Sequence, residues 1–318
     1  MWFINYYLGY QQADEPLTGN RQLGTRIHTA LEAWYGYQLD PVAVLGLLYQ
    51  ALVSGNPADE VELKQEMTLA ILMVSGYLEW VQSEGEDADL QVIATEADVQ
   101  VPLPGFEQVI LRGRLDQVSV QLSDSTLRFM DYKTSDSFTQ HQTLERNPQF
   151  RFYSLLQMLM AGHGAPVPGM QLRPDLPVVM GGQITTLRRV KRTSASKPPY
   201  YARDSFRYNI DQLYSTLLRT RQIALEIYNV RANLDGVYAA GGSLLQVNEL
   251  QRTMCRPVPI ERDCDWRCSA ASGLCGAMDD GSDWAGVLER SGRFVRADPY
   301  ARYSEDPLRS IREKIASL

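Results

Sequence analysis

The sequence predicts an α/β (α+β) fold with helices flanking a sheet, and two observations carry that reading. Apolar residues recur at helical spacing up to about residue 84, and from about residue 90 the period changes to two before helix and strand alternate. A chain of 318 residues with 44% hydrophobic content has ample material for a core.

The elements follow in order. A first helix is expected over about 24–38, with Ile27, Ala30, Leu31, Trp34 and Tyr35 on one side. Asp40-Pro41 is an N-cap and first-turn pair for a second helix through about Val53. Asn56-Pro57 opens a third helix to about Glu84, which the GEDAD turn ends. Strands are expected near 90–102, 108–122 and 126–134, a helix near 139–161, a strand near 178–190 and a long helix near 207–232. Cysteines then occupy 255–275, and a polar tail closes the chain. No internal repeat interrupts this series.

Several function classes are excluded by composition. No run of eighteen apolar residues exists, and the opening MWFINYYLGYQQADEP lacks a basic segment followed by an apolar one, so neither a membrane span nor a signal peptide is expected, and the location expected is cytoplasmic. A net charge of −7 argues against a generic polyanion binder. The charge is uneven, however: Arg188, Arg189, Lys191, Arg192, Lys197, Arg203 and Arg207 fall in one stretch with a single Asp. Arginine forks there suit phosphate oxygens, and Tyr200 or Tyr201 suits stacking on a base; the alternative is a solvated charged face. Lysine is scarce, five against 26 arginines, which draws the eye to Lys133.

Lys133 sits in FMDYKTSD (129–136), where a strand interior runs into an acid, Asp131, and a lysine. Ser123-Asp124 suit a two-residue turn, and a hairpin centred there pairs residues whose numbers sum to 247. Val118 then faces Phe129 and Val120 faces Leu127, while Gln121–Thr126 and Ser119–Arg128 make a polar face. The same register sets Asp116 opposite Asp131, with Lys133 beside them. Directly opposed carboxylates repel. A hard divalent cation, Mg²⁺ or Mn²⁺, relieves that repulsion, and so does a shared proton; the neighbouring lysine favours the cation. A metal, two acids and a lysine suit phosphodiester hydrolysis, in which a bound water is activated and charge on phosphate is offset. The bland alternative is a surface Asp–Lys pair at a strand end.

These residues match a family pattern. GRLD (113–116), DYK (131–133), Gln149-x-x-x-Tyr153 and GTRIHTALE (24–32), in that spatial logic of helix, strand, strand and helix, resemble the PD-(D/E)XK nucleases, specifically the RecB-like exonuclease branch, over roughly residues 20–160. The resemblance implies a restriction-endonuclease-like core, a mixed central sheet flanked by helices, within a nuclease domain spanning 1–246 and carrying a helical insertion at about 37–88. It further implies that His28, Asp116, Asp131 and the Tyr132 carbonyl ligate the metal and that Lys133 is the catalytic lysine. Gln149 and Tyr153 would position the DNA backbone or Lys133, and Glu96 would be an accessory acid. Structural alternatives stand beside these: a core histidine, a helix-capping Gln–Tyr pair and a solvent-facing glutamate. His141 and His163 are expected to be surface residues. The activity implied is a metal-dependent DNA exonuclease of recombination, repair or DNA processing, in the cytoplasm or, if phage-encoded, that of the host. Its DNA would carry free ends or be single-stranded. Because no GxxxxGK[ST] motif is present, unwinding would fall to a helicase or recombination partner. The rival reading is a non-catalytic DNA-binding or scaffold subunit that keeps the fold.

Cys255, Cys264, Cys268 and Cys275 occupy 21 residues, a pattern of a metal site rather than of disulfides, for zinc or an iron–sulfur cluster. AddB-like and CRISPR-associated exonuclease-like relatives carry a [4Fe-4S] cluster with one ligand near the N-terminus. This chain has no cysteine there, so Cys255 would supply the fourth thiolate in a cysteine-cluster region at 247–280, before a tail at 281–318.

Overall fold

In a computed structural model, the described residues are 3–13, 16–138, 141–163, 178–193, 195–243, 274–301 and 308, with a few single positions between 246 and 253. The chain forms two compact units, one of Leu17–Arg219 with Asp306–Leu318, the other of Met1–Pro16 with Thr220–Glu305.

The larger unit begins with three helices, α1 (Asn20–Tyr37), α2 (Pro41–Gly55) and α3 (Glu60–Glu84). In α1, Leu23, Ile27, Ala30 and Leu31 are buried at spacings of four, three and one, an apolar stripe of helical period. Asp40 Oδ1 accepts the Val42 N–H at 2.9 Å and Pro41 occupies the first turn, so α2 starts where its cap residues place it. Gly85 ends α3 in a left-handed conformation, φ 68°.

Five strands follow: β2 (Leu90–Leu103), β3 (Phe106–Gln121), β4 (Thr126–Ser135), β5 (Val178–Arg188) and β6 (Tyr201–Arg207), after a short β1 (Tyr10–Gln12) that belongs to the other unit. Their order is β2-β3-β4-β5-β6, antiparallel except for the parallel β4–β5 pair, so the sheet is mixed. Val118↔Phe129, Ser119↔Arg128 and Val120↔Leu127 pair as the hairpin arithmetic predicts. The sheet is covered on both faces. On one, Met130, Tyr132, Leu187 and Tyr201 join Leu23, Ile27, Met73 and Tyr77 of the helical layer. On the other, Phe129 and Phe206 pack against Tyr153 and Phe150 of α5 (Pro148–His163), which follows the short α4 (His141–Arg146). Three layers, helices on both sides of a mixed sheet, confirm the α/β architecture.

The structure corrects three expectations. The helix expected over 139–161 is broken at Asn147-Pro148, because proline pushes the preceding residue out of the helical region. Asn147 Oδ1 then caps the second piece by accepting the Gln149 N–H at 2.9 Å. Strand β6 occupies a stretch expected to be a turn and loop, and the long helix, α6, runs over Ile210–Ala239 instead of starting at 207. The C-terminal stretch is not simply a polar tail. It holds α7 (Leu274–Asp280), α8 (Trp284–Arg290) and β7 (Phe294–Arg296), and Trp284 is fully buried with Ile4, Leu274, Leu288 and Phe294 in the core of the smaller unit. Residues 3–12 belong to this smaller unit, where β1 pairs antiparallel with β7.

Candidate active site

The site forms where the β-ladder lapses. The β3–β4 register stops at Gln117↔Met130, one step short of Asp116 and Asp131. On the other flank, β2 and β3 pair at Thr95↔Gln117 and again at Ala97↔Leu115, leaving Glu96 and Asp116 opposed between two ladder segments. Glu96 has φ 46°, the left-handed region that a glutamate rarely occupies. The alternation of faces changes phase there. Both Gly113, whose Cβ position meets Leu156 and Tyr153, and Val118, opposite Phe129, lie on the α5 side although they are five residues apart. This irregularity frees Asp116 from the ladder. Its Oδ2 accepts the Tyr132 N–H at 2.7 Å, in place of a backbone carbonyl.

Helix α1 brings His28 to the same place. His28 Nδ1 lies 3.4 Å from Asp116 Oδ2 and 4.0 Å from Glu96 Oε1, and its Nε2 lies 2.8 Å from the Tyr132 carbonyl oxygen. A carbonyl only accepts, so Nε2 carries a proton and donates it to this hydrogen bond, and Nδ1 faces the two acids. One ligand atom each of His28, Glu96 and Asp116 falls within 4.8 Å of the others. Carboxylate oxygens with a single imidazole are a hard donor set that fits Mg²⁺ or Mn²⁺.

Asp131 lies at the bottom of the site, 1% exposed, and its carboxylate is held by Lys133 Nζ at 2.8 and 3.0 Å. Burial and the negative charge of Asp116 push its carboxyl up to about 6, against the pull of Lys133. Burial, followed by Asp116 and Glu32, pushes Glu96 further, to about 8. Burial pulls the Lys133 pKa down, but Asp131 and Asp116 outweigh it and raise the pKa above its ordinary value. Gln149 Nε2 donates to the Tyr153 hydroxyl at 3.0 Å, and burial raises that phenol to about 12.

The structure therefore brings together His28, Glu96, Asp116, Asp131 and Lys133. The Tyr132 carbonyl, expected as a ligand, accepts a hydrogen bond from His28 Nε2 and so orients the histidine, and Glu96, expected as an accessory acid, stands among the clustered ligand atoms. Two further residues belong to the site and escaped the sequence reading. Arg114 Nε lies 3.9 Å from Glu96 Oε2, and the buried Glu32 raises the Glu96 pKa. Both had a positional signal, Arg114 two residues before Asp116 on its strand and Glu32 one turn after His28 on its helix.

The basic stretch is largely committed to the fold. Arg203, its side chain 3% exposed, bonds Asp87 Oδ1 at 2.8 Å, the Glu86 carbonyl at 2.7 Å, the Tyr77 hydroxyl at 2.9 Å and Thr185 Oγ1 at 3.1 Å. It is a buried structural arginine and cannot face a ligand. Arg188 donates to the carbonyls of Lys197 and Pro199, Arg189 grips Asp136 at 2.7 and 3.1 Å, and Arg192 binds Glu79 and the Tyr201 hydroxyl. Lys191, Lys197 and Arg207 are exposed. Cys275 lies half-buried in α7, whereas Cys255, Cys264 and Cys268 lie outside the described residues. Among the described residues, no helix is long and apolar enough to cross a membrane.

No curated protein sequence matches this one. A family model does: that of the PD-(D/E)XK nuclease superfamily matches residues 1–268, which include every element of the sheet and all five clustered site residues. With the mixed sheet, the lapsed ladder at Asp116 and the Asp131–Lys133 pair on one strand, the match shows that the chain belongs to the PD-(D/E)XK nuclease superfamily.

Proposed function

We propose that the protein is a divalent-metal-dependent deoxyribonuclease of the RecB-like exonuclease type, acting in recombination, repair or DNA processing. The observation that carries this reading is the convergence of His28, Glu96 and Asp116 beside the buried Asp131–Lys133 pair. His28, Asp116, Glu96 and Asp131 would hold Mg²⁺ or Mn²⁺, which when bound supplies Lewis-acid activation of water and of a phosphoryl oxygen. The chain's own residues do the rest. Lys133, with its pKa raised by the two aspartates, keeps its proton and serves as a fixed cation and hydrogen-bond donor facing the developing negative charge, rather than as a base. Asp131, pinned by that ammonium, takes a single orientation. Tyr153, locked by Gln149 and by its edge contact with Phe129, presents a neutral hydroxyl as a donor to phosphate oxygen. In the reaction, the oxygen of water bonds to phosphorus as the P–O bond to the leaving nucleotide breaks, and a proton released by the water ends on the leaving oxygen, so one product carries the phosphate and the other a hydroxyl. Lys191, Lys197 and Arg207 are the exposed cations offered to the DNA backbone.

The test is digestion of 5′- and 3′-labelled single- and double-stranded DNA with Mn²⁺ and with EDTA. Cleavage by the wild type should vanish in EDTA and in Asp116→Ala, with folding retained; undiminished cleavage by Asp116→Ala would refute the assignment. Spacing of the cysteines alone supports a four-thiolate site for a [4Fe-4S] cluster or, alternatively, zinc. Anaerobic purification decides between them: about four irons per chain with broad visible absorption, or one zinc without colour.

A further inference from the structure

Tyr132 occupies the middle position of the Asp131-Tyr132-Lys133 triplet, and its side chain lies on the helical-layer face of the sheet. Three of its groups touch the site or its foundations. The backbone N–H holds Asp116 at 2.7 Å, the backbone oxygen holds His28 at 2.8 Å, and the phenol donates to Gln117 Oε1 at 2.6 Å. Gln117, itself buried, donates in turn to Ser119. One peptide unit on each side of a single α-carbon thus sets the position of two of the clustered side chains.

That α-carbon is fixed from behind. The Tyr132 ring stacks on Tyr35 (centroids 6.1 Å apart, planes at 20°) and meets Tyr77 edge-on at 6.1 Å. Tyr35 and Tyr77 belong to a closed hydrogen-bonded ring. Arg203 donates to the Tyr77 hydroxyl at 2.9 Å, the two hydroxyls lie 3.0 Å apart, Tyr35 donates to Asp87 at 2.6 Å, and Asp87 accepts from Arg203 at 2.8 Å. Arg203 also reaches Thr185, the β5 residue in register with Tyr132. A closed ring leaves none of its members free to rotate independently.

We infer that Tyr132 is a positioning residue: its side chain, clamped by Tyr35, Tyr77 and Gln117, fixes through its own backbone the spacing of Asp116 and His28 and thereby the affinity of the site for a divalent cation. The inference rests on the metal-site reading above. Groups that orient ligands without touching the metal commonly change affinity by about 10–100-fold when removed, and the clamp is expected to act in the lower part of that range.

The experiment is calorimetric titration of the protein with Mn²⁺, without DNA, alongside melting curves. Wild type, Tyr132→Phe, Tyr132→Leu and a control, Leu103→Ala, are compared. Leu103 is fully buried at the far end of β2, so its truncation lowers the melting temperature without reaching the clamp. Tyr132→Leu should bind Mn²⁺ about tenfold more weakly than wild type and Tyr132→Phe, which keeps the stacking, by a smaller factor, while Leu103→Ala binds as wild type does. If Tyr132→Leu is too unstable to titrate, Tyr132→Phe and Tyr35→Leu supply the same comparison. Wild-type affinity in the Tyr132 and Tyr35 variants would overturn the clamp and leave the metal site standing. Absence of Mn²⁺ binding by the wild type itself would overturn both.

Discussion

Replacing Glu96 by Gln should make the metal-free protein more stable, and increasingly so as the pH rises. Glu96 ionises near 4.5 when unfolded and at about 8 in the fold, pushed up by burial and by Asp116. Between those values the native state holds a proton that the unfolded state has lost, so stability falls as pH rises through this window. At 1.36 kcal/mol per unit, the penalty at pH 8.5 is about 4–5 kcal/mol, and at pH 5 it is about 1 kcal/mol. Gln cannot ionise, keeps the size of the side chain and inherits the same left-handed backbone, so the substitution isolates the charge. Urea unfolding in EDTA at pH 5 and pH 8.5 measures it. The variant should gain about 4 kcal/mol on wild type at the higher pH and little at the lower. Mn²⁺ should narrow the gap, because only the wild type regains its third carboxylate or imidazole donor; at a hundredfold excess over the dissociation constant, binding adds about 2.7 kcal/mol. An equal difference at both pH values would refute the claim that burial and carboxylate repulsion load this site.

The remaining expectations concern the sheet and its basic edge. Arg203→Ala leaves Asp87, Tyr77 and Thr185 without their shared donor and should cost about 3–5 kcal/mol in urea unfolding, whereas a ligand-facing arginine would cost little. Joint replacement of Lys191, Lys197 and Arg207 by Ala should weaken binding to all DNA sequences alike and flatten the slope of log K against log salt by about two units on single strands or three on duplex. An unchanged slope would place the DNA path elsewhere. Gly182→Ala should destabilise by about 1–3 kcal/mol on thermal melting, since its Cβ would lie 2.6 Å from the Phe129 ring, itself wedged between Tyr153 and Phe206.

What the sequence made legible was local or periodic. The β3–β4 register followed from one turn and from the alternation of Val118, Val120, Leu127 and Phe129, because a single slip would have mixed the faces. Asp40-Pro41 marked α2 through cap chemistry that acts within three residues. The fate of the arginines was not legible in this way. Arg203 and Arg207 look alike in a basic run, and only the arrival of Asp87 and Tyr77, more than a hundred positions away in the chain, makes the first a buried anchor. Strand β6 was hidden for a related reason. Its Tyr201-Ala-Arg-Asp-Ser-Phe-Arg sequence is too polar to read as a strand until β5 offers it an antiparallel partner.

The irregularity around Asp116 has the character of a site whose cost is met by what it binds. A regular β2–β3–β4 ladder would satisfy every backbone group and would bury Asp116 in a cross-strand pair, opposite one carboxylate and beside another. Instead the ladder opens at Gln117 on one side and skips Glu96 on the other, Glu96 takes a left-handed backbone, and the Tyr132 N–H turns to a side-chain carboxylate. Left-handed geometry at a non-glycine residue costs on the order of 1–3 kcal/mol, and the crowded acids add the pH-dependent penalty worked out above. The repulsion is only partly offset by neighbouring cations: Arg114 stands 3.9 Å from Glu96, and Lys133 is taken by Asp131. A divalent cation between His28, Glu96 and Asp116 would offset the repulsion directly while leaving the Lys133 ammonium free of that task. Charge and donor geometry thus argue for the same occupant, and the strained backbone at Glu96 marks the place.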